Sequence, residues 1–432
     1  MNLGPGDREM LETLQRETFA YFVDHANPDT GLIADRTSAG SPSSIAATGL
    51  ALTCYPIAVE RGWWTRAEAV ARTLTTLRFF ARSEQSNDPA ATGHNGFYYH
   101  FLDLASGARF GGCELSTIDT ALLVAGIHTA AVYFGGPDEL EVRELGEMLY
   151  RRVQWSWAAD DDGTLRHGWR PESGFLEPRW DRGYSEASLL YVLALGSPTF
   201  AIDPAGYVRW TRTFERKTLY GLDQLYAGPL FIHQLSQLWL DLQELLDERT
   251  RDVGFDYFEN SRRATLSQRA YAIANPAGFS GYGENAWGCT ASNGPGPDHQ
   301  VVHGVPREFY GYLARGAPFG PDDGTLSPWA VVASLPFAPT EVCAAIHHAI
   351  ERLGLKNAHG PGFEASFNPT YPEASAHARG WVSPWKYGLN QGPIVVMIEN
   401  HLTRLVWTLM RSSPYIRRGL ERAGFSGGWL AR

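Results

Sequence analysis

Helical patterning recurs from one end of this chain to the other, and no Pro/Ser/Gly-rich linker interrupts it. Windows at 7–25, 45–60, 65–82, 116–133, about 138–157, 184–195, 204–215, 231–248, 255–274, 339–353, 391–411 and 415–423 carry helix starts or apolar residues at helical spacing. The second follows a Ser-Pro-Ser-Ser start, the third begins at Thr65, and 116–133 is apolar almost throughout after Ser116-Thr-Ile-Asp119, the mark of a buried helix. Few segments read as strands; Phe97–Gly107 has the pattern of a short hairpin arm. Residues 160–182 and 279–326 are rich in Gly, Pro, Asp and Trp and read as loops. A helical solenoid would show a repeated motif, and no strict repeat is present. About twelve helices without a dividing linker predict an all-α fold, one domain over 1–432. Paired inner and outer helices would close into an α/α barrel, with loops at one end forming a cleft.

Charge and cysteine usage narrow the function classes. A net charge of −10 argues against a general nucleic-acid binder, which needs a basic face. Cys54, Cys113, Cys289 and Cys343 are too far apart for a zinc or redox motif, so neither metal nor cofactor is expected. No apolar run reaches the length of a membrane span, which predicts no membrane partner. The opening Met1-Asn-Leu-Gly-Pro-Gly-Asp7 lacks the marks of a signal peptide. The expected compartment is the cytoplasm, or the periplasm or exterior for a form whose leader has been removed.

Four segments combine polar groups with loop or helix-start signals. Gly281-Tyr-Gly-Glu-Asn-Ala-Trp-Gly288 sets Glu284 among glycines and the rings of Tyr282 and Trp287. Rings beside a carboxylate suit a pyranose face and its hydroxyls; an aromatic-rich structural loop has the same composition. In Glu114-Leu-Ser-Thr-Ile-Asp-Thr120 the acidic residues open the buried helix, where they either cap it or face a cleft. In Trp180-Asp-Arg-Gly-Tyr-Ser-Glu-Ala187, Glu186 opens a helix beside Trp180, Arg182 and Tyr184, placed either to stabilise that helix or to act as an acid. In Tyr387-Gly-Leu-Asn-Gln-Gly-Pro-Ile394, Asn390 and Gln391 stand at the mouth of a very apolar helix. No nucleophile elbow, P-loop, dinucleotide fingerprint or His-Glu-x-x-His spacing occurs.

These segments, in this order, resemble the bacterial glucoamylase-like family over about residues 10–425. Further matching motifs are Gln15-Arg-Glu-Thr-Phe-Ala-Tyr-Phe22, Ser44-Ile-Ala-Ala-Thr-Gly49, Phe101-Leu-Asp103, Gly228-Pro-Leu-Phe-Ile-His-Gln234 and Asp256-Tyr-Phe-Glu-Asn-Ser-Arg-Arg263. The resemblance implies an (α/α)6 barrel and a glycoside hydrolase or transglycosylase acting on β-glucan or oligosaccharides, chiefly β-1,2-linked glucose. It implies Glu186 as general acid, Glu284 as a second active-site carboxylate of nucleophile type, and Asp119 near the donor sugar. One departure stands out: many relatives read Ile-Asp-Gln-Gly-Pro-Ile where this chain has Leu389-Asn-Gln-Gly-Pro-Ile394. Asn390 cannot accept a proton as a base.

Glycosidases ordinarily pair two carboxyl groups. The favoured pair is Glu186 with Glu284; Asp119 or Glu114 orienting a water is the other. Trp180, Tyr184, Tyr282, Trp287 and Trp385 are expected to stack on sugar, and Arg182, Asn390, Gln391 and Glu114 to bind hydroxyls. The rival readings are a glycan-binding protein on the same barrel and a polysaccharide lyase. A lyase acting on uronates wants a basic cleft, which the acidic balance does not support.

Overall fold

The computed structural model describes residues 4–136, 139–356, 360–372 and 379–431. Residues 1–3, which open the segment read for a signal peptide, and 138, which opens one helical window, lie outside them. No helix of the described residues is long and apolar enough to cross a membrane.

The helices fall into two kinds, as their sequences dictate. Those apolar on every side are buried on every side. Thr117–Tyr133 is buried continuously from Asp119 to Ala131, and Ser188–Gly196 from end to end. Ile45–Glu60 and Gly388–Leu402 behave likewise. Those with a single apolar stripe lie outside: Arg66–Arg82 buries Ala69, Thr73, Thr76, Leu77 and Phe80, half-buries flanking residues such as Val70, Leu74 and Phe79, and turns the charged Arg66, Glu68, Arg78 and Arg82 to solvent. Caps set the starts. The Ser44 hydroxyl accepts from the Ala47 amide at 3.3 Å, and Thr65 forms a reciprocal capping box with Glu68.

The inner helices approach closely where glycine allows it. A Cβ on Gly126 would lie 1.9 Å from the Gly49 carbonyl oxygen, and one on Gly49 would lie 2.4 Å from that of Leu122. The same device joins Ser188–Gly196 to Pro414–Arg422 through Gly196 and Gly419. Ile45–Glu60 packs also on Gly388–Leu402, which in turn packs on Pro328–Ala333.

Several segments differ from expectation: within 138–157 the helix ends at Arg152 before a 3-10 turn at Trp155–Ala158, and 7–25 divides into Pro5–Phe19 and Tyr21–Asp24. Residues 231–248 do not make one helix: Leu230–Gln234 passes into a 3-10 turn at Leu235–Leu238, then a short strand at Leu245–Leu246. Residues 391–411 form two helices, because Arg404 takes a left-handed conformation (φ 63°) between Leu402 and Leu405. Phe97–Gly107 is not a self-paired hairpin. Phe97–Tyr99 pairs with Gly93–His94 and Leu115–Ser116, and Phe101–Leu102 pairs with Ser43–Ser44.

The expected loop 279–326 holds an antiparallel hairpin, Asp298–Val302 with Val305–Phe309. Its anchor is an ion pair with both side chains fully buried. Arg315 Nε and Nη2 meet the Asp323 carboxylate at 2.7 and 2.8 Å, and the guanidinium also donates to the carbonyls of Ser292, Tyr310 and Gly311. Such a pair repays its desolvation only with every donor used, which fixes the loop's path.

Gly126→Ala should lower the unfolding free energy by about 1–3 kcal/mol, because the added methyl meets backbone that cannot step aside. Chemical denaturation checks this; a change within about 0.5 kcal/mol would show that the helix pair has room to spare.

Candidate active site

Two helix starts meet at His100. The Ile45 amide donates to the His100 carbonyl at 3.4 Å, and the His100 amide donates to the Glu114 carbonyl at 3.0 Å. The ring of His100 lies flat against Phe101, with centroids 4.0 Å apart. Its Nδ1 donates to Glu114 Oε1 at 3.0 Å, and its Nε2 faces Asp119 Oδ2 at 3.7 Å. Burial opposes its charge, but Asp119, Glu114 and Asp35 outweigh burial and push its pKa up to about 9. An imidazolium therefore sits among three carboxyl groups at neutral pH. Burial also works against the Glu114 carboxylate, yet the His100 hydrogen bond and charge, with Arg170 nearby, hold its pKa below the usual value.

Asp119 is buried in the first turn of Thr117–Tyr133, with the Ser116 hydroxyl 2.5 Å from its Oδ2. The same hydroxyl accepts the Asp119 amide, so capping and site geometry are one arrangement.

Glu186 lies in the turn just before Ser188–Gly196 and is half-buried. The Ser236 hydroxyl clamps that turn, donating to the Glu186 carbonyl at 2.6 Å and accepting the Leu189 amide at 2.9 Å. Burial, with the Asp119 charge added, pushes the Glu186 carboxyl up to about 7. A carboxyl still substantially protonated near neutrality can donate a proton to a leaving group.

Three further groups complete the cluster. Asp35 is half-buried, and burial, against the opposing charges of His100 and Arg36, raises its pKa to about 6. Tyr312 has a side chain open to solvent, with the residue 68% exposed, while its phenol lies in the field of Asp35, Asp119, Tyr387 and Glu186. It stands two residues beyond Tyr310, whose carbonyl, like that of Gly311, is held by Arg315. Asp35-Arg36 closes a buried extended run, Leu32-Ile-Ala34, and Tyr310-Gly-Tyr312 sets an aromatic beside a glycine. Those are the signals that sequence reading passed over. His100 carries no sequence signal of its own, lying outside any His-Glu-x-x-His spacing.

The structure gathers Glu114, Asp119 and Glu186, and Asn390 stands close by. Asn390 is 7% exposed on the first turn of Gly388–Leu402, whose Gly388 amide donates to the Asp35 carbonyl at 2.9 Å.

Other expected site residues lie elsewhere. Glu284 has a side chain 68% exposed, and Arg269 binds both its carboxylate, at 2.5 Å, and its carbonyl. Its partner is thus a guanidinium, whereas the charge beside Glu186 is Asp119. Trp287, at 2% exposure, is core and not a sugar platform, because the glycine-rich turn folds inward and Gly288 abuts Val331 and Ser327. Tyr184 is packed among Phe214, His233 and Tyr257. Trp180 stacks on His167 at 3.8 Å and donates its indole N–H to Thr117 Oγ1 at 3.1 Å, supporting the helix start from behind. Tyr282 is half-buried, and its hydroxyl donates to Asp322 Oδ1 at 2.7 Å. Gln391 is 1% exposed and donates to the Phe363 carbonyl at 3.3 Å, so it ties a loop to the helix instead of lining a cleft. Trp385 is half-buried and Arg182 exposed, so both keep surface for a ligand.

Comparison with known proteins places the chain among relatives of one family. The Glycoamylase family profile, described as "Putative glucoamylase", matches residues 179–414. The exo β-1,2-glucooligosaccharide sophorohydrolase (non-reducing end) of Parabacteroides distasonis is 29% identical over 454 residues, covering 96% of this chain and 58% of that protein. The chain therefore spans a little over half the length of that curated relative. A structure from Bacteroides uniformis, also described as a glucoamylase of this kind, superposes with a TM-score of 0.85 at 29% identity, covering 100% of both chains. The endo-β-1,2-glucanase of Chitinophaga pinensis, in complex with sophorotriose and glucose, superposes with a TM-score of 0.83 at 25% identity, covering 99% of this chain and 100% of that one. With more than half of its residues matched by the profile, the chain belongs to the Glycoamylase family.

Proposed function

We propose that this protein is a glycoside hydrolase that cleaves β-1,2-linked glucose chains, with Glu186 as the proton donor. The observation that carries the reading is the Glu186 carboxyl itself: half-buried, beside Asp119, and raised to about 7. The substrate class is supported by the sophorohydrolase and the endo-β-1,2-glucanase among its relatives. The scaffold is read as one domain built on an (α/α)6 barrel. In support, the wholly buried helical segments touch in sequence: Ile45–Glu60 with Thr117–Tyr133, then Ser188–Gly196, then Leu235–Leu238. Leu230–Gln234 next meets Pro328–Ala333, which meets Gly388–Leu402, and that helix returns to Ile45–Glu60.

Within this reading the His100 imidazolium fixes Glu114 and Asp119 as a negative wall beside the anomeric centre. Such a wall favours positive charge developing on the sugar ring in an oxocarbenium-like transition state. Tyr312 offers a ring face to a sugar, and Arg182, Trp385 and Asn390 line its path. Glu284 is assigned to the outer wall, since an exposed, arginine-bound carboxylate is poorly placed to act as a nucleophile.

A panel of linear β-1,2-glucooligosaccharides, laminarin, cellulose oligomers and uronate polymers tests the assignment. Reducing-sugar release from the β-1,2 series alone is expected. An unsaturated product would indicate a lyase, and binding without turnover a glycan-binding protein. Glu186→Gln should lower kcat by at least about 100-fold, the usual scale for loss of a general acid.

The pH dependence has a definite sign. Because the Glu186 pKa is raised, its active protonated form prevails below about 7 and disappears above it, so kcat/KM should fall on the alkaline side near that value. A rate that stays flat to pH 9 would remove Glu186 from the acid role. Tyr312→Ala should raise KM by about 3–10-fold, the scale of one aromatic contact, with kcat much less affected.

A further inference from the structure

Hydrolysis through a proton donor needs a second group to take a proton from water or to attack carbon, and the cluster and the loops around it offer several carboxylates. Most are already engaged. Glu114 accepts from His100 and lies 3.9 Å from Arg170. Asp119 is held by the Ser116 hydroxyl. Glu284 is bound by Arg269, Asp322 by Tyr271 and Tyr282, and Asp323 by Arg315.

Asp35 differs. Among the described residues its carboxylate has no hydrogen bond and no ion pair. Its backbone, by contrast, is fixed on both sides: the amide donates to the Pro42 carbonyl at 2.7 Å, and the carbonyl accepts from Gly388. Next to it, Arg36 bridges Tyr387. A rigidly placed carboxylate with unused lone pairs is suited to binding a water or a substrate hydroxyl.

Its surroundings point the same way. The groups that face it are Tyr21, Arg36, His100, Asp119 and Tyr312. Asp35 and Glu186 both act on the charge of the same Tyr312 phenol, so the two carboxyl groups share one electrostatic neighbourhood. Asn390, on the helix turn bonded to the Asp35 backbone, has a side-chain carboxamide with no hydrogen bond among the described residues, while its backbone amide donates to the Tyr387 carbonyl at 2.9 Å. It can hold a water by its carboxamide but cannot take up the proton.

We infer that Asp35 is the general base of the reaction, taking a proton from the attacking water while Glu186 protonates the leaving oxygen. This rests on the reading of the site as a glycosidase. In the step, the water oxygen bonds to the anomeric carbon as the glycosidic C–O bond breaks. The bonding pair goes to the leaving oxygen, which receives the Glu186 proton, and one water proton passes to an Asp35 oxygen. Proton exchange with solvent resets both groups. Direct attack by water delivers a product of inverted anomeric configuration.

Three measurements on the full chain test this, using whichever glycoside of the panel the wild type cleaves. Asp35→Asn should lower kcat at least about 100-fold with KM changed less than about threefold, and should leave the unfolding midpoint near wild type. The wild-type kcat/KM should fall on the acid side near pH 6, where Asp35 becomes protonated, and Asp35→Asn should lose that limb. Proton NMR of the first wild-type product should show the inverted anomer; this and the wild-type acid limb stand even if the variant does not fold. An active Asp35→Asn, a retained anomer or an acid limb absent from the wild type overturns the base role alone. A wild type inactive on every glycoside overturns the hydrolase reading, and the base role falls with it.

Discussion

The contact between Gly49 and Gly126 is the constraint on which the rest of the site depends. It draws two wholly buried helices together until backbone meets backbone. Their starts at Ser44 and Ser116 then lie side by side, with one residue in the bend between the short strands Phe97–Tyr99 and Phe101–Leu102 able to bond both. That residue is His100, whose carbonyl takes the Ile45 amide and whose amide reaches the Glu114 carbonyl. A wider helix spacing would part that bend from one of its neighbours and take the imidazole away from Glu114 and Asp119.

The electrostatics follow from that placement. One imidazolium is set against Glu114, Asp119 and Asp35, and it is the only cation of the three carboxyl groups' shared surroundings that touches two of them at 3.0 and 3.7 Å among the described residues. Glu186 feels burial and the Asp119 charge with no cation to offset them, so it is pushed furthest toward neutrality, to about 7, while His100 and Arg36 hold Asp35 back at about 6. Carboxyl groups in one cleft are thus driven apart in protonation by position, which is how an acid and its anionic companions coexist at one pH.

Much of the helical framework was legible in the chain, because helices apolar on all sides must be buried and those with one stripe must cover them. Ser44, Thr65 and Ser116 marked true starts. Windows such as 231–248 and 391–411 keep apolar spacing across a break, at the 3-10 turn Leu235–Leu238 and at the left-handed Arg404, so periodicity alone does not register it. In the cluster, Glu186, Glu114 and Asp119 stand out in the sequence because they lie at helix starts among polar neighbours. Asp35 and Tyr312 do not, since each reaches the cluster from a loop whose path is set by distant partners, Gly388 and Arg315. Trp287, Tyr184 and Gln391 misled for the converse reason: composition shows that an aromatic or amide is near a site, not which way it faces.

The central claim is that Glu186 remains a protonated carboxylic acid near neutral pH. Infrared difference spectroscopy between wild type and Glu186→Gln, recorded across a pH titration, follows that single carboxyl directly. The account requires its C=O band to persist to about pH 7 before giving way to carboxylate. Loss of the band at about pH 4, the value of an ordinary glutamic acid, would contradict it.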